Sequence, residues 1–163
     1  MVEALQALRG VPFTVAVTTV AELGDLTRFD TPRQLMNSLG FTPAEDSPGE
    51  RRRQGGITKT GNTHARRALI AGAWASRYPA TISRHLQLRL EQVPQAIQDM
   101  SWKAQVRLCK RSRQLSTRGK NPHQVVVAIA RARSAFMWAI AQAVPLTPST
   151  KTVRSFAAVP IRC

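Results

Sequence analysis

Between Asp46 and Leu69 the chain reads DSPGERRRQGGITKTGNTHARRAL. One serine, Ser47, stands ahead of Arg51, Arg52 and Arg53. A Gly55-Gly56 pair, Lys59 in a Lys-Thr-Gly-Asn turn, and Arg66 and Arg67 at the start of a helical pattern follow. Each piece suits a phosphate backbone: glycines permit close approach, arginines offer forked donors, and a helix start has free N–H groups. Ser47 in that setting is either a phosphate contact or a nucleophile aimed at phosphorus. Asp-Ser-Pro-Gly is also an ordinary turn, and a serine without a neighbouring His or Lys base is seldom a nucleophile. Three arginines would nevertheless stabilise a developing alkoxide. Glu45, Asp46 and Glu50 could bind a metal, but the adjacent arginines would neutralise them first.

The elements that must carry this segment read as helices almost throughout. Val2, Leu5 and Leu8 space a short first helix. Pro12 opens a second, running to about Leu23; its run of Val and Thr also fits a strand, but Gly10 and Gly24 bracket a helix better. Thr31 caps a third over Pro32–Leu39, ended by Gly40. Residues 41–60 read as a long loop, of a length that is commonly functional or disordered. Asn62 caps a fourth helix reaching Tyr78, where Arg66 and Arg67 oppose the helix dipole, a mild conflict that an anion would relieve but that costs little if both are exposed. A fifth spans Ala80–Leu90 and a sixth Pro94–Arg118. Asn121-Pro122 starts a seventh, whose Val125, Ile129, Ala132, Phe136, Ile140 and Ala143 form a core stripe. The fold class expected is mainly α, one domain over 1–144 with a helix-hairpin-helix-like part at about 1–40, the loop at 41–60 and basic helices over 61–144. Residues 145–163 read as a disordered basic tail.

Charge names the class of partner. The 163 residues carry a formal +15 with a pI near 11.7. Residues 1–50 hold three basic and seven acidic side chains, a net of −4; the remainder holds 21 basic and two acidic, a net of +19. Such segregation is the footprint of a nucleic-acid binder. On the sixth helix Lys103, Arg107, Lys110, Arg111, Gln114 and Arg118 recur at three and four, a basic stripe that is either a solvated face or a backbone contact. Trp102, Val106 and Cys109 form an apolar line beside it, and Trp74, Trp102 and Trp138 read as core residues. Gly10-Val11-Pro12-Phe13 hints at a helix-hairpin-helix turn, but with Phe13 where a second glycine usually stands an ordinary interhelical turn is the favoured reading of the spacing alone. Cys109 and Cys163 cannot build a disulfide framework and suit a reducing cytoplasm. His64, His85 and His123 share no metal spacing with them. The apolar run at Ala135–Val144 is short for a membrane span.

The ordered series GVPFTVAVTTVAELGDLTRF, TPRQLMNSLGFTP and SPGERRRQGGITKTGNTHARRAL resembles the C-terminal domain of the insertion-sequence transposases of the IS one-ten / IS eleven-eleven group, relatives of the Piv/MooV DNA invertases. The likeness covers about residues 3–143, and GGITKTGN…RRAL is its most specific part. It implies an enzyme of two halves. A RuvC-like N-terminal nuclease carries a four-acid site for a divalent metal such as Mg2+, and a C-terminal domain supplies a serine for cutting and rejoining DNA. On this chain that serine is Ser47, with Pro48 standing where many relatives have another serine. Arg51, Arg52, Arg53, Lys59, Arg66, Arg67, Lys103, Arg107, Lys110 and Arg111 would hold nucleic acid. The resemblance also implies element ends and target DNA as partners, an element-encoded guide RNA in some members, a homo-oligomer, no membrane, and a bacterial cytoplasmic, nucleoid-associated location. No cofactor is expected on this chain. It should bind DNA yet be unable to complete transposition without the acidic half. The other readings are a non-catalytic helical DNA- or RNA-binding protein and a structural basic protein without a specific ligand.

Overall fold

A computed structural model describes residues 1–46 and 53–144. Seven helices and one hairpin follow in order: α1 (Val2–Gln6), α2 (Phe13–Leu23), a 3-10 turn (Leu26–Arg28), α3 (Pro32–Ser38), β1 (Pro43–Asp46), β2 (Arg53–Ile57), α4 (Thr63–Ala73), a second 3-10 turn (Trp74–Arg77), α5 (Arg84–Leu90), α6 (Gln95–Thr117) and α7 (Pro122–Ala143). The domain is mainly α-helical, as expected. Ser47, Arg51, Arg52 and the expected tail lie outside the described residues.

The helices begin where polar caps sit. Thr31 accepts from the Gln34 amide, Asn62 from Ala65 and Asn121 from His123, each satisfying a donor the helix leaves open. Gly24, Gly40 and Gly119 follow helices with positive φ, the usual stop. Helix α5 starts later than expected, at Arg84, because Ser83 caps it by accepting from Leu86. The preceding residues are held instead by α6: Gln105 Nε2 donates to the Thr81 carbonyl at 2.6 Å.

Helix α7 is the centre of the fold. It packs against α1, α3, α4, α6 and the first 3-10 turn. By length and composition it could cross a membrane, yet here it is the core helix. Its buried face is Val125, Val126, Ile129, Ala130, Arg133, Ser134, Met137, Ile140 and Ala141. The expected stripe is thus rotated: Ala132 and Phe136 are only half-buried and Ala143 is exposed. The rotation brings Arg133 inside, at 1% exposure. Its guanidinium donates to Ser76 Oγ at 2.8 Å and to the Gly10 carbonyl at 3.4 Å. Gly10 and Gly72 meet at the same place. A Cβ on either would overlap the other's carbonyl oxygen, so two glycines let the α1–α2 turn rest directly on α4.

Two further expectations change. Residues 41–60 are not one loop. Strands β1 and β2 pair antiparallel, with Pro43 opposite Ile57, Glu45 opposite Gln54 and Asp46 opposite Arg53, and an irregularity between Pro43 and Glu45. The segment lacks the apolar alternation of a half-buried strand. Its ladder is started from the domain instead, by Phe41 N donating to the Met36 carbonyl (2.9 Å), Lys59 N to Gly40 (3.2 Å) and Thr58 N to Thr42 (2.9 Å). Trp102 and Val106 are also not core; they are 45% and 42% exposed. The inner face of α6 is Ile97, Ser101, Ala104, Gln105, Leu108, Cys109 and Ser112. Small and polar residues hold it because Ser101 and Gln105 hydrogen-bond to the backbone beneath, at Ala7 and Thr81. Trp138 is half-buried, and its indole N–H donates to the Phe29 carbonyl at 2.7 Å.

Candidate nucleic-acid interface

The hairpin base is fastened to the helical body by close backbone contacts. Gly40 and Gly61 have φ of 66° and 87°, and a Cβ on them would strike the backbone of Thr60 and Ser38. Asn62 N donates to the Ser38 carbonyl at 2.9 Å. The Asn62 side chain caps α4 and also donates to Glu22 Oε2 at 2.7 Å, joining the hairpin's exit to α2. Lys59 is left-handed, with φ of 57°, an uncommon state for a residue with a side chain. Its side chain is exposed. The hairpin base is therefore held to the helical body at Gly40, Lys59 and Asn62.

Arg66 differs from its expected place. It is 7% exposed. Its guanidinium donates to the Leu39 carbonyl at 3.0 Å, the Thr60 carbonyl at 3.3 Å and Thr63 Oγ1 at 3.1 Å. The charge that opposes the α4 dipole is thus met by carbonyl oxygens of the fold, and no bound anion is needed to explain it. Arg66 is a strut that fixes the turn after β2. Arg67, one residue on, is exposed, as are Thr58, Thr60 and His64 around it. His64 Nδ1 lies 3.5 Å from Glu22 Oε1.

Along α6, Lys103, Arg107, Lys110 and Arg111 are all exposed, and Arg113, Gln114 and Arg118 extend the same surface. The Arg107 guanidinium sits 5.9 Å from the Phe136 ring centroid, which steadies one of these cations against α7. The structure thus leaves Lys59, after β2, and Arg67, on α4, exposed, and sets Lys103, Arg107, Lys110 and Arg111 on one face of α6. Arg53 lies in β2, opposite Asp46. Among the described residues no group of three or more His, Cys, Asp or Glu side chains could hold a metal ion.

Sequence reasoning missed two features. Arg133 was hidden because a charge in a helical stripe is ordinarily read as its outer edge. The hollow lined by Arg9, His85 and Arg89 was hidden because its residues come from distant segments; the lack of acids between Asp46 and Glu91 other than Glu50 was the available signal.

Comparison with known proteins places the chain. It is 48% identical over 146 residues to a Sinorhizobium fredii protein bearing the name transposase y4qE, covering 90% of this chain and 37% of that protein. It is 38% identical over 74 residues to a Pseudomonas aeruginosa protein named as a family 20 transposase, covering 45% of this chain and 22% of that one. It is 37% identical over 71 residues to the transposase for insertion sequence element IS1111A of Coxiella burnetii, covering 44% and 20%. The chain spans well under half the length of each of these relatives. The profile of the transposase IS116/IS110/IS902 family matches residues 2–87, more than half of the sequence, and the chain belongs to that family.

Proposed function

We propose that this chain is the serine-bearing C-terminal portion of an insertion-sequence transposase, and that it grips element DNA with its hairpin and its basic helix faces. One observation carries the reading: a family match running through a hairpin whose paired ends, Asp46 and Arg53, bracket Ser47, Arg51 and Arg52 in the sequence. Ser47 Oγ attacks a DNA phosphorus. An Oγ–P bond forms, the P–O3′ bond breaks, the released 3′ oxygen takes a proton and the serine proton leaves to water. Arg51, Arg52, Arg53, Lys59 and Arg67 hold the phosphates around that step, and Lys103, Arg107, Lys110 and Arg111 hold the flanking duplex. No step runs through a metal on this chain. A helix-hairpin-helix role for the α1–α2 pair, an element-encoded guide RNA and assembly into a homo-oligomer belong to the same reading. So does dependence on an acidic nuclease half for complete transposition.

The test is covalent trapping on nicked suicide DNA carrying element ends, with an intact nuclease half supplied. Ser47→Ala should abolish the trapped adduct. Equal trapping by the variant removes the nucleophile assignment. The second reading is a non-catalytic nucleic-acid binder, favoured by the acid-poor exposed face of α6. It predicts salt-sensitive binding indifferent to Ser47. Neutralising Arg51, Arg52 and Arg53 together should weaken binding and flatten its salt dependence under both readings; unchanged binding counts against both.

A further inference from the structure

A cavity of about 160 Å³ opens where three segments meet: the α1–α2 turn with Arg9 and Gly10, the coil before α5 with Thr81 and Ser83, and α5 with His85, Leu86 and Arg89. It is roughly ten times larger than the 10–15 Å³ that admits one water. Two arginines, a histidine and two hydroxyl side chains line it, and no acidic residue does. Among the described residues, none of Arg9, His85 and Arg89 forms an ion pair.

The walls are tied in place. Arg9 donates to the Pro79 carbonyl at 2.6 Å, spanning the mouth from turn to coil. From α6, Gln105 holds the Thr81 carbonyl and Ser101 holds the Ala7 carbonyl. The Ala7, Pro79 and Thr81 carbonyls are therefore already engaged. Beneath it lies Arg133, bonded to the Gly10 carbonyl, with its Nε buried and without a partner. Burial, with Arg9's like charge adding to it, pushes the Arg133 guanidinium down to about 10. A hollow lined by the Arg9 and Arg89 side chains, with the buried Arg133 bonded to its Gly10 wall, is one that an anion stabilises.

We propose that this cavity is a phosphate-binding site separate from the hairpin. Donors arriving from three segments suit the tetrahedral oxygens of a phosphate better than a planar carboxylate, and the arginine fork matches them. The occupant is a backbone phosphate of a nucleic-acid strand, a choice that rests on the proposed function; inorganic phosphate shares the chemistry. The site would give the domain a second grip on the strand.

The test uses the full chain with Arg89→Gln and, at the exposed His85, His85→Gln. Inorganic phosphate is titrated while the Arg Nε–Hε signals and the amides of Gly10, Thr81 and Ser83 are followed by NMR. A labelled duplex is then bound across a range of salt. The parent should show saturable shifts at these groups that Arg89→Gln loses, and the duplex should displace phosphate. Arg89→Gln should weaken duplex binding several-fold and lower the salt slope by about one. Duplex binding with an unchanged slope, and no phosphate shifts at the cavity, overturns the site and leaves the proposed function standing. Saturable phosphate shifts without any duplex binding keep the site as one for free phosphate and overturn the nucleic-acid reading.

Discussion

Single residues decide more of this fold than their types suggest. Gly72 is a helix residue that Ala would normally improve, by about 1 kcal/mol. Here its missing Cβ is the space in which the Gly10 carbonyl rests. Gly72→Ala should therefore destabilise the domain by about 2–3 kcal/mol, seen as a lower urea midpoint with unchanged slope. Arg133 gives a pH signature. Burial lowers its pKa in the folded state to about 10, well below the ordinary arginine value. Between those values the unfolded chain binds more protons than the folded one, so this group's contribution to stability rises with pH. Against an Arg133→Met variant, the parent should gain stability as pH is raised from about 9 to 12; a constant difference in urea titrations across that range would refute the buried charge. Asn62, Thr31 and Asn121 were readable as caps because capping is local chemistry. Arg66 and Arg133 were not, since nothing in their neighbours' sequence shows that carbonyls of distant segments await them.

At the scale of elements, what could be read was what periodicity and punctuation encode. Helices α2, α6 and α7 start and stop within a residue or two of their Pro, Asn and Gly signals. The hairpin escaped because its pairing propagates from Phe41, Thr58 and Lys59 at the base. Side-chain alternation, the usual sign of a strand, plays no part in it. Helix α6 misled differently. Its inward face is held partly by Ser101 and Gln105, so Trp102 and Val106, the more apolar choice, lie outside. The consequence is measurable. Trp102→Ala should change stability by no more than about 0.5 kcal/mol. Trp138→Ala, which loses packing and the indole bond to Phe29, should cost about 3 kcal/mol. The exposed Trp102 beside Lys103 also means the face of α6 is not purely ionic. Of the candidate interface, the cations on α6 and at Arg67 were visible in the sequence, while the rigid base that orients Lys59 needed the backbone.

For the whole molecule, helix α7 joins parts of the chain that are far apart in sequence. Hydrogen bonds reach from Arg133 to Gly10, from Trp138 to Phe29 and from Gln142 to Thr27, and α1, α3 and α4 all pack on it. A chain ending before Pro122 should keep some helix by circular dichroism but lose its cooperative thermal transition; a sharp transition in that fragment would show that α1–α6 close alone. The family profile ends at residue 87, well short of this keystone, so the profile alone covers less than the stretch that folds. Synthesis meets the same constraint in time. Leu5, Leu8, Leu35 and Leu69, all buried in the finished domain, leave the ribosome before the helix that covers them. At roughly 5–20 residues per second, gaps of roughly 50 to 120 residues before Pro122 leave that surface bare for on the order of 3–25 s. During that interval chaperones and neighbouring nascent chains compete for it, which makes the yield of folded protein a matter of translation speed.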